Sequence, residues 1–171
     1  MLVLTFQIGS DRLALDVRLI REVVPRVLLQ RVAFGPAWLT GVFIYRGQVV
    51  PVIDLHRLIG AEDCPLHLST RIILVNHLLD GEERLLGLQA AQVADIREMQ
   101  PPSQAPDRLT SPGQPDLGPV LVDGREIVHL VELDRLLPES YQRHLALVPK
   151  ALTHEPDPRD RHAAGADWAR P

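Results

Sequence analysis

Seven histidines are the residues best suited to metal or acid–base chemistry: His56, His67, His77, His129, His144, His154 and His162. None lies four residues from another, none forms His-x-His, and no carboxylates flank them at ligand-like spacing. They are expected to be surface or partly buried imidazoles rather than ligands. The single cysteine, Cys64, excludes an intramolecular disulfide framework and a multi-thiolate metal site, and it fits a reducing compartment. Ser140 and His144 stand one helical turn apart, but a nucleophile also needs an orienting third group, and there is no Gly-x-Ser-x-Gly elbow. No glycine pattern resembles a phosphate-binding loop or a dinucleotide fingerprint. Asp54 and Glu132 each follow a strand-like run and precede a helical turn, where capping is a better reading than acid–base work. The chain therefore reads as a non-enzyme without a cofactor, a protein that works by presenting surfaces.

Composition sets the bounds. The 171 residues carry a net charge of -4, with a pI near 5.9, which argues against a nucleic-acid binder that neutralises phosphates. With 4% aromatic residues, stacking on single strands is equally unsupported. Lysine occurs once, at Lys150, and every other basic residue is Arg, a bias that reads as background rather than as a binding surface. No apolar run approaches the ~18 residues of a membrane span. Met1 to Ile8 lacks a basic leader and enters a strand pattern directly, so no signal peptide is expected. The expected setting is cytoplasmic.

The elements are mainly β. Leu2, Leu4, Phe6 and Ile8 alternate with less apolar residues, Gly9-Ser10-Asp11 turns the chain, and Leu13, Leu15 and Val17 resume the alternation, which predicts a hairpin. A helical turn could start at Gly35-Pro36. Residues 41–45 and 49–53 form a second hairpin around Arg46-Gly47-Gln48, and Pro51 places its strand at an edge or a bulge. Arg71–Asn76 and Arg84–Gln89 flank Asp80-Gly81, and residues 120–122 and 127–131 flank Asp123-Gly124. Residues 100–116 hold five prolines and read as a loop. Leu136, Leu137, Tyr141, Leu145 and Val148 recur at helical spacing up to Pro149. Residues 149–171 combine four prolines with mixed charges and predict a flexible tail.

Three blocks recur at near-equal spacing. Ile20-Arg21-Glu22-Val23 returns as Ile96-Arg97-Glu98-Met99. Gly41 and Gly47 return as Gly118 and Gly124. Ile53-Asp54-Leu55-His56-Arg57-Leu58 returns as Val131-Glu132-Leu133-Asp134-Arg135-Leu136. The body is thus expected to be two copies of one small β-unit, each closing as a small barrel and packing on the other. The expected domain runs over residues 1–148, with halves near 1–68 and 69–137 plus a C-terminal helix.

The run Gly41-Val42-Phe43-Ile44-Tyr45-Arg46-Gly47-Gln48-Val49-Val50-Pro51-Val52-Ile53-Asp54-Leu55 closely resembles the signature of the CheW-like domain family. Leu15 to Val23, Ser69 to Val75 and Leu130 to Leu137 also fit, so the resemblance spans residues 2 to about 145. It implies two intertwined, five-stranded, SH3-like barrels packed on each other. It also implies a non-enzymatic adaptor that couples methyl-accepting chemoreceptors to a CheA-type histidine kinase in a signalling array. The implied partners are the receptor's cytoplasmic tip and the kinase's regulatory domain, itself CheW-like, with no nucleic acid and no membrane insertion. The family's receptor-contact arginine falls on Arg46, its apolar coupling position on Ile20, and the glycine opening the hairpin on Gly41. A family glutamate falls on Glu22, which is expected to pair with Arg46 and orient it. Ile44 and Tyr45 depart from the usual Asn and Leu, and the second half lacks the usual Val-Asp-Gly run. These departures point to an accessory chemosensory pathway. Alternative readings are a CheW-like scaffold that binds receptors without a kinase, and a small β-barrel ligand-binding regulator.

Overall fold

The computed structural model describes residues 1–33, 35–101, 117–123 and 126–150. The proline-rich loop from 102, the turn residue Gly124 and the tail from 151, with His154 and His162, lie outside the described residues.

Alternating burial builds the first hairpin, β1 (Leu2–Ile8) and β2 (Asp11–Asp16). After a 3-10 turn at Val17–Leu19 come β3 (Ile20–Pro25), β4 (Leu39–Tyr45), β5 (Gln48–Asp54) and α1 (Leu55–Leu58). The second unit follows the same order: β6 (Arg71–Leu79), β7 (Glu82–Ala90), β8 (Ile96–Glu98), β9 (Val120–Asp123), β10 (Glu126–Leu130) and α2 (Leu133–Leu136). The last helix is α3 (Glu139–Ala146). One sheet has the order β8-β1-β2-β10-β9 and the other β3-β6-β7-β5-β4. Exchanging each strand for its repeat mate converts one order into the other. The repeat read in the sequence is therefore a structural pseudo-twofold.

The units exchange strands. β1 and β2 take β8, β9 and β10 as neighbours, while β6 and β7 take β3, β4 and β5. Sequence halves 1–68 and 69–137 thus do not correspond to separate barrels, because each sheet draws on both. Two parallel pairings, β2 with β10 and β5 with β7, make the exchange. Parallel neighbours cannot be joined by a tight turn, so such pairs form between distant segments.

Alternation along each strand sorts side chains into three cores. Leu4, Phe6 and Ile8 face Ile73, Val75, Leu86 and Leu88 in the main core between the sheets. Val3, Ala14, Leu121 and Val128 fill the first barrel, and Val50, Val52, Ile72 and Leu74 fill the second. The second barrel closes where Gln30 and Val42 exchange backbone hydrogen bonds at 2.8 Å.

Several elements differ from the sequence expectation. Gly35 to Trp38 makes no helix: the Leu39 N–H donates to the Pro36 carbonyl at 3.0 Å, a turn that buries Trp38 and leads into β4. Pro51 lies inside a sheet, not at an edge. Val42 spends both backbone groups on Gln30, so Pro51 sits in a non-hydrogen-bonded pair. Its nitrogen faces the β7 side, where the ladder begins only at Val52. The predicted C-terminal helix is divided, with α2 ending at Leu136 and α3 starting after Pro138. Asp54 caps α1, accepting from the His56 and Arg57 N–H groups at 2.9 and 3.3 Å, whereas Glu132 makes no such bond to α2.

Two buried histidines carry a pH dependence. His56 lies on α1 near Asp54, and His77 lies on β6 with Nδ1 3.8 Å from Asp134. The Nε2 of each is buried without a hydrogen-bond partner among the described residues. Burial pushes both imidazoles below the ordinary 6.5, partly opposed by Asp54 and the Gln7 backbone for His56 and by Asp134 for His77. As pH falls the unfolded chain binds these protons first, so stability is full at neutral pH and declines below the ordinary value. Phe6 occupies the position matching His77, each two residues before the last residue of its strand, Ile8 and Leu79. His77→Phe is expected to keep the fold and flatten the acid limb of urea-unfolding stability against pH; an unchanged limb would contradict a neutral, buried His77. Gly41→Ala is expected to cost ~1–3 kcal/mol in the same assay, the scale of a strained backbone position. Gly41 has φ +155°, and a Cβ there would meet the Gln30 carbonyl at 2.6 Å.

Candidate functional site

The β4–β5 connection is a two-residue turn with φ +47° at Arg46 and +79° at Gly47, the type I′ geometry that matches strand twist. Glycine takes this conformation freely, but an arginine there costs roughly 1–2 kcal/mol. The turn projects the Arg46 side chain into solvent, with 68% of it exposed.

On β3, the register slips between Ile20, opposite Val75, and Glu22, opposite Leu74. This bulge leaves Ile20 against the main core and turns Glu22 to the barrel-interior side, at its open end. There the carboxylate meets both residues of the hairpin end. The Tyr45 hydroxyl donates to Glu22 Oε2, and Arg46 Nη2 donates to the same oxygen at 3.3 Å. The Arg46 guanidinium carbon also lies 5.1 Å from the Tyr45 ring centroid, within cation–π range. The Glu22 carboxylate raises the Tyr45 phenol above its ordinary value, with desolvation adding to it. Glu22 and Arg46 are both solvent-exposed, so their pair is worth under about 1 kcal/mol; it fixes direction rather than stability.

Two adjoining cavities of about 330 and 400 Å³ open beside this cluster. Ile20, Arg21, Glu22, Tyr45 and Arg46 line them from the first unit, and Asn76, Glu83 and Arg84 from the second. Arg84 donates to the carbonyls of Leu145 and Val148 at 3.4 and 2.6 Å, which satisfies the open end of α3.

Three of the four residues singled out in the sequence thus come together: Ile20, Glu22 and Arg46. Gly41 does not join them. It is buried at the other end of β4, where it allows the Gln30 backbone to close the barrel. The repeat also needs a correction of one residue. Tyr45 pairs with Gln48 as Asp123 pairs with Glu126, so residue 46 corresponds to residue 124, a glycine, rather than Gly47 to Gly124. The second hairpin has no arginine at that place. Tyr45, read in the sequence as a departure, is a full member of the cluster. An aromatic beside a turn arginine was the available signal. Asn76 and Arg84 carried none, because only the strand exchange brings them here.

A family model described as the CheW-like domain matches residues 2–140. This chain belongs to the CheW-like domain family. Its relatives include protein FrzA of Myxococcus xanthus, 30% identical over 146 residues that cover 82% of this chain and 88% of that protein. Another is the chemotaxis protein CheW of Treponema pallidum, 22% identical over 147 residues, covering 83% and 85%. The crystal structure of the scaffolding protein TtCheW from Thermoanaerobacter tengcongensis superposes with a TM-score of 0.64 at 20% identity. It covers 82% of this chain and 89% of that one, and it supports the fold. CheW-like proteins are scaffolds and adaptors of chemotaxis signalling, not enzymes. No helix among the described residues is long and apolar enough to cross a membrane.

The shared carboxylate has a direct check. Glu22→Gln is expected to bring the Tyr45 phenol back toward its ordinary value in an NMR titration. A Tyr45 value that does not move would mean that the two side chains are not bonded in solution.

Proposed function

We propose that this CheW-like chain is a non-enzymatic adaptor that couples methyl-accepting chemoreceptors to a CheA-type histidine kinase in a cytoplasmic array beneath the membrane. The receptor's cytoplasmic tip docks in the groove at Arg46, and the kinase's regulatory domain, itself CheW-like, binds elsewhere on the body. One observation carries this reading: Glu22 holds Tyr45 and Arg46 together at the rim of a groove lined by both units. A fixed guanidinium loses less side-chain freedom when it pairs with a carboxylate or carbonyl of an arriving helix, and its fork geometry makes that pairing directional. Ile20 adds apolar contact in the same groove. The Ile44-Tyr45 departure favours an accessory chemosensory pathway, because a tyrosine here gives the arginine a seat that an aliphatic residue does not supply.

Co-sedimentation with receptor-bearing membranes, with and without the kinase, tests the reading. Arg46→Ala is expected to weaken receptor association by more than about tenfold, the scale of an arginine hot spot. The same substitution should move the melting temperature by less than about 2 °C, since only an exposed pair is lost. Unaltered association, or wild-type protein that changes neither co-sedimentation nor kinase autophosphorylation, would overturn the assignment.

A further inference from the structure

The second barrel has two ends. Its Tyr45 end holds the Arg46 groove. Its Leu39 end, about 20 Å away along β4, is built by the chain between β3 and β4. Three residues of that connection are pinned inward. Leu29 packs on the second barrel core, Gln30 exchanges backbone hydrogen bonds with Val42, and Val32 packs on the main core. Pinning these residues displays their neighbours. Leu28 is 98% exposed, Val27 is exposed beside it, and Arg26 and Arg31 reach solvent on either side.

A second loop brings more apolar surface to the same place. Pro25, just before Arg26, lies opposite Arg71 on β6. Arg71 donates to the Leu68 carbonyl, and the Thr70 hydroxyl donates to the Pro65 carbonyl at 2.6 Å, so residues 65–70 are folded against that rung. Leu66 and Leu68 nonetheless stand in solvent, Leu68 at 96%. Burial pushes the nearby Cys64 thiol up to about 11, and the Arg26 charge is close enough to oppose it, which brings the two loops together. Exposed leucines scattered singly are ordinary, but four apolar side chains around one rung are the mark of an interaction surface.

Charge decides which partner fits. A cavity of about 680 Å³ opens here, walled by Arg26, Arg31 and Arg57, and no carboxylate lines it. Asp63 engages Arg57, whereas Arg26 and Arg31 have no carboxylate partner among the described residues. In a chain of net charge -4, this cationic pocket is a local exception.

We propose that this end of the second barrel is a docking surface for an acidic amphipathic helix of a protein partner, with its apolar face on Val27, Leu28 and Leu68 and its carboxylates on Arg26 and Arg31. Helix-in-groove recognition uses this combination of apolar anchors and a charged rim. The charges set specificity and the rate of encounter, and salt weakens them. Because the surface lies at the far end of β4 from Arg46, both ends can be occupied at once, which gives an adaptor two attachment points on one barrel. The surface is independent of the docking reading given above.

The probe is a synthetic peptide of three Leu-Glu-Glu-Leu repeats, whose leucines fall at helical spacing, with a Leu-Lys-Lys-Leu control of the same pattern. Added to the 15N-labelled full chain, the acidic peptide is expected to give saturable shifts at the amides of Arg26, Val27, Leu28 and Leu68, and the control none. Arg26→Glu with Arg31→Glu should weaken binding at least about tenfold, and Leu28→Ser by about threefold or more. Their melting temperatures should stay near wild type, because all three side chains are exposed. The absence of saturable shifts, equal binding of the two peptides, or unaltered affinity in the double variant would overturn the proposal. Shifts of these amides on dilution alone would assign the face to a second copy. Shifts with phosphatidylglycerol vesicles but not with the acidic peptide would assign it to a membrane. Either result would also overturn the proposal. Arg46→Ala is expected to leave peptide binding unchanged, whatever it does to receptor-tip binding, so the two readings fail separately. Peptide at saturation should leave receptor-tip binding intact; mutual exclusion would overturn the two-ended arrangement.

Discussion

Two parallel ladders, β2 on β10 and β5 on β7, are the constraint from which the rest of the molecule follows. Each joins a hairpin of one repeat unit to the closing strand of the other, so neither unit completes a sheet alone. The main core is shared for the same reason, with Leu4, Phe6 and Ile8 on one side and Ile73, Val75 and Leu88 on the other. Burying a side chain of this kind is worth about 1.5–3 kcal/mol, and the shared layer makes that gain conditional on both units. A repeat too small to support an independent core becomes stable by exchange.

The exchange also builds the groove. Arg46, Tyr45 and Glu22 come from the first unit, while Asn76 and Arg84 arrive from the second, and Arg84 in turn holds the end of α3. Energetically the cluster is cheap to break, as its ion pair is exposed and its arginine occupies a turn position better suited to glycine. A position that gains little stability from its residue and strains its backbone is one where a binding role explains the choice of side chain. The second hairpin carries a glycine, Gly124, at the matching place in the sequence.

Much of this was legible in the sequence. The period-two alternation of Leu2 to Ile8 and the Ile-Arg-Glu repeat at 20 and 96 gave the strands and the pseudo-twofold, because burial on one face requires that pattern. The pairing of Glu22 with Arg46 was likewise legible through the resemblance. Strand exchange left no trace in local pattern, since parallel neighbours are chosen by long-range packing. Pro51 misled for a related reason: the rule that keeps proline at sheet edges concerns its missing donor, and here that position faces a gap between Lys150 and the start of the β7 ladder. Gly41 was read as part of the docking surface, yet its φ and the nearby Gln30 carbonyl give it a closing role that only three-dimensional contact reveals.

The most direct measurement is an NMR titration of the 15N-labelled full chain with the helical-hairpin tip of its cognate receptor. Docking at the Arg46 groove predicts saturable shifts at the amides of Ile20, Glu22, Tyr45, Arg46 and Asn76, drawn from both units at once. Shifts confined to β9 and β10, with those five amides unmoved, would contradict it.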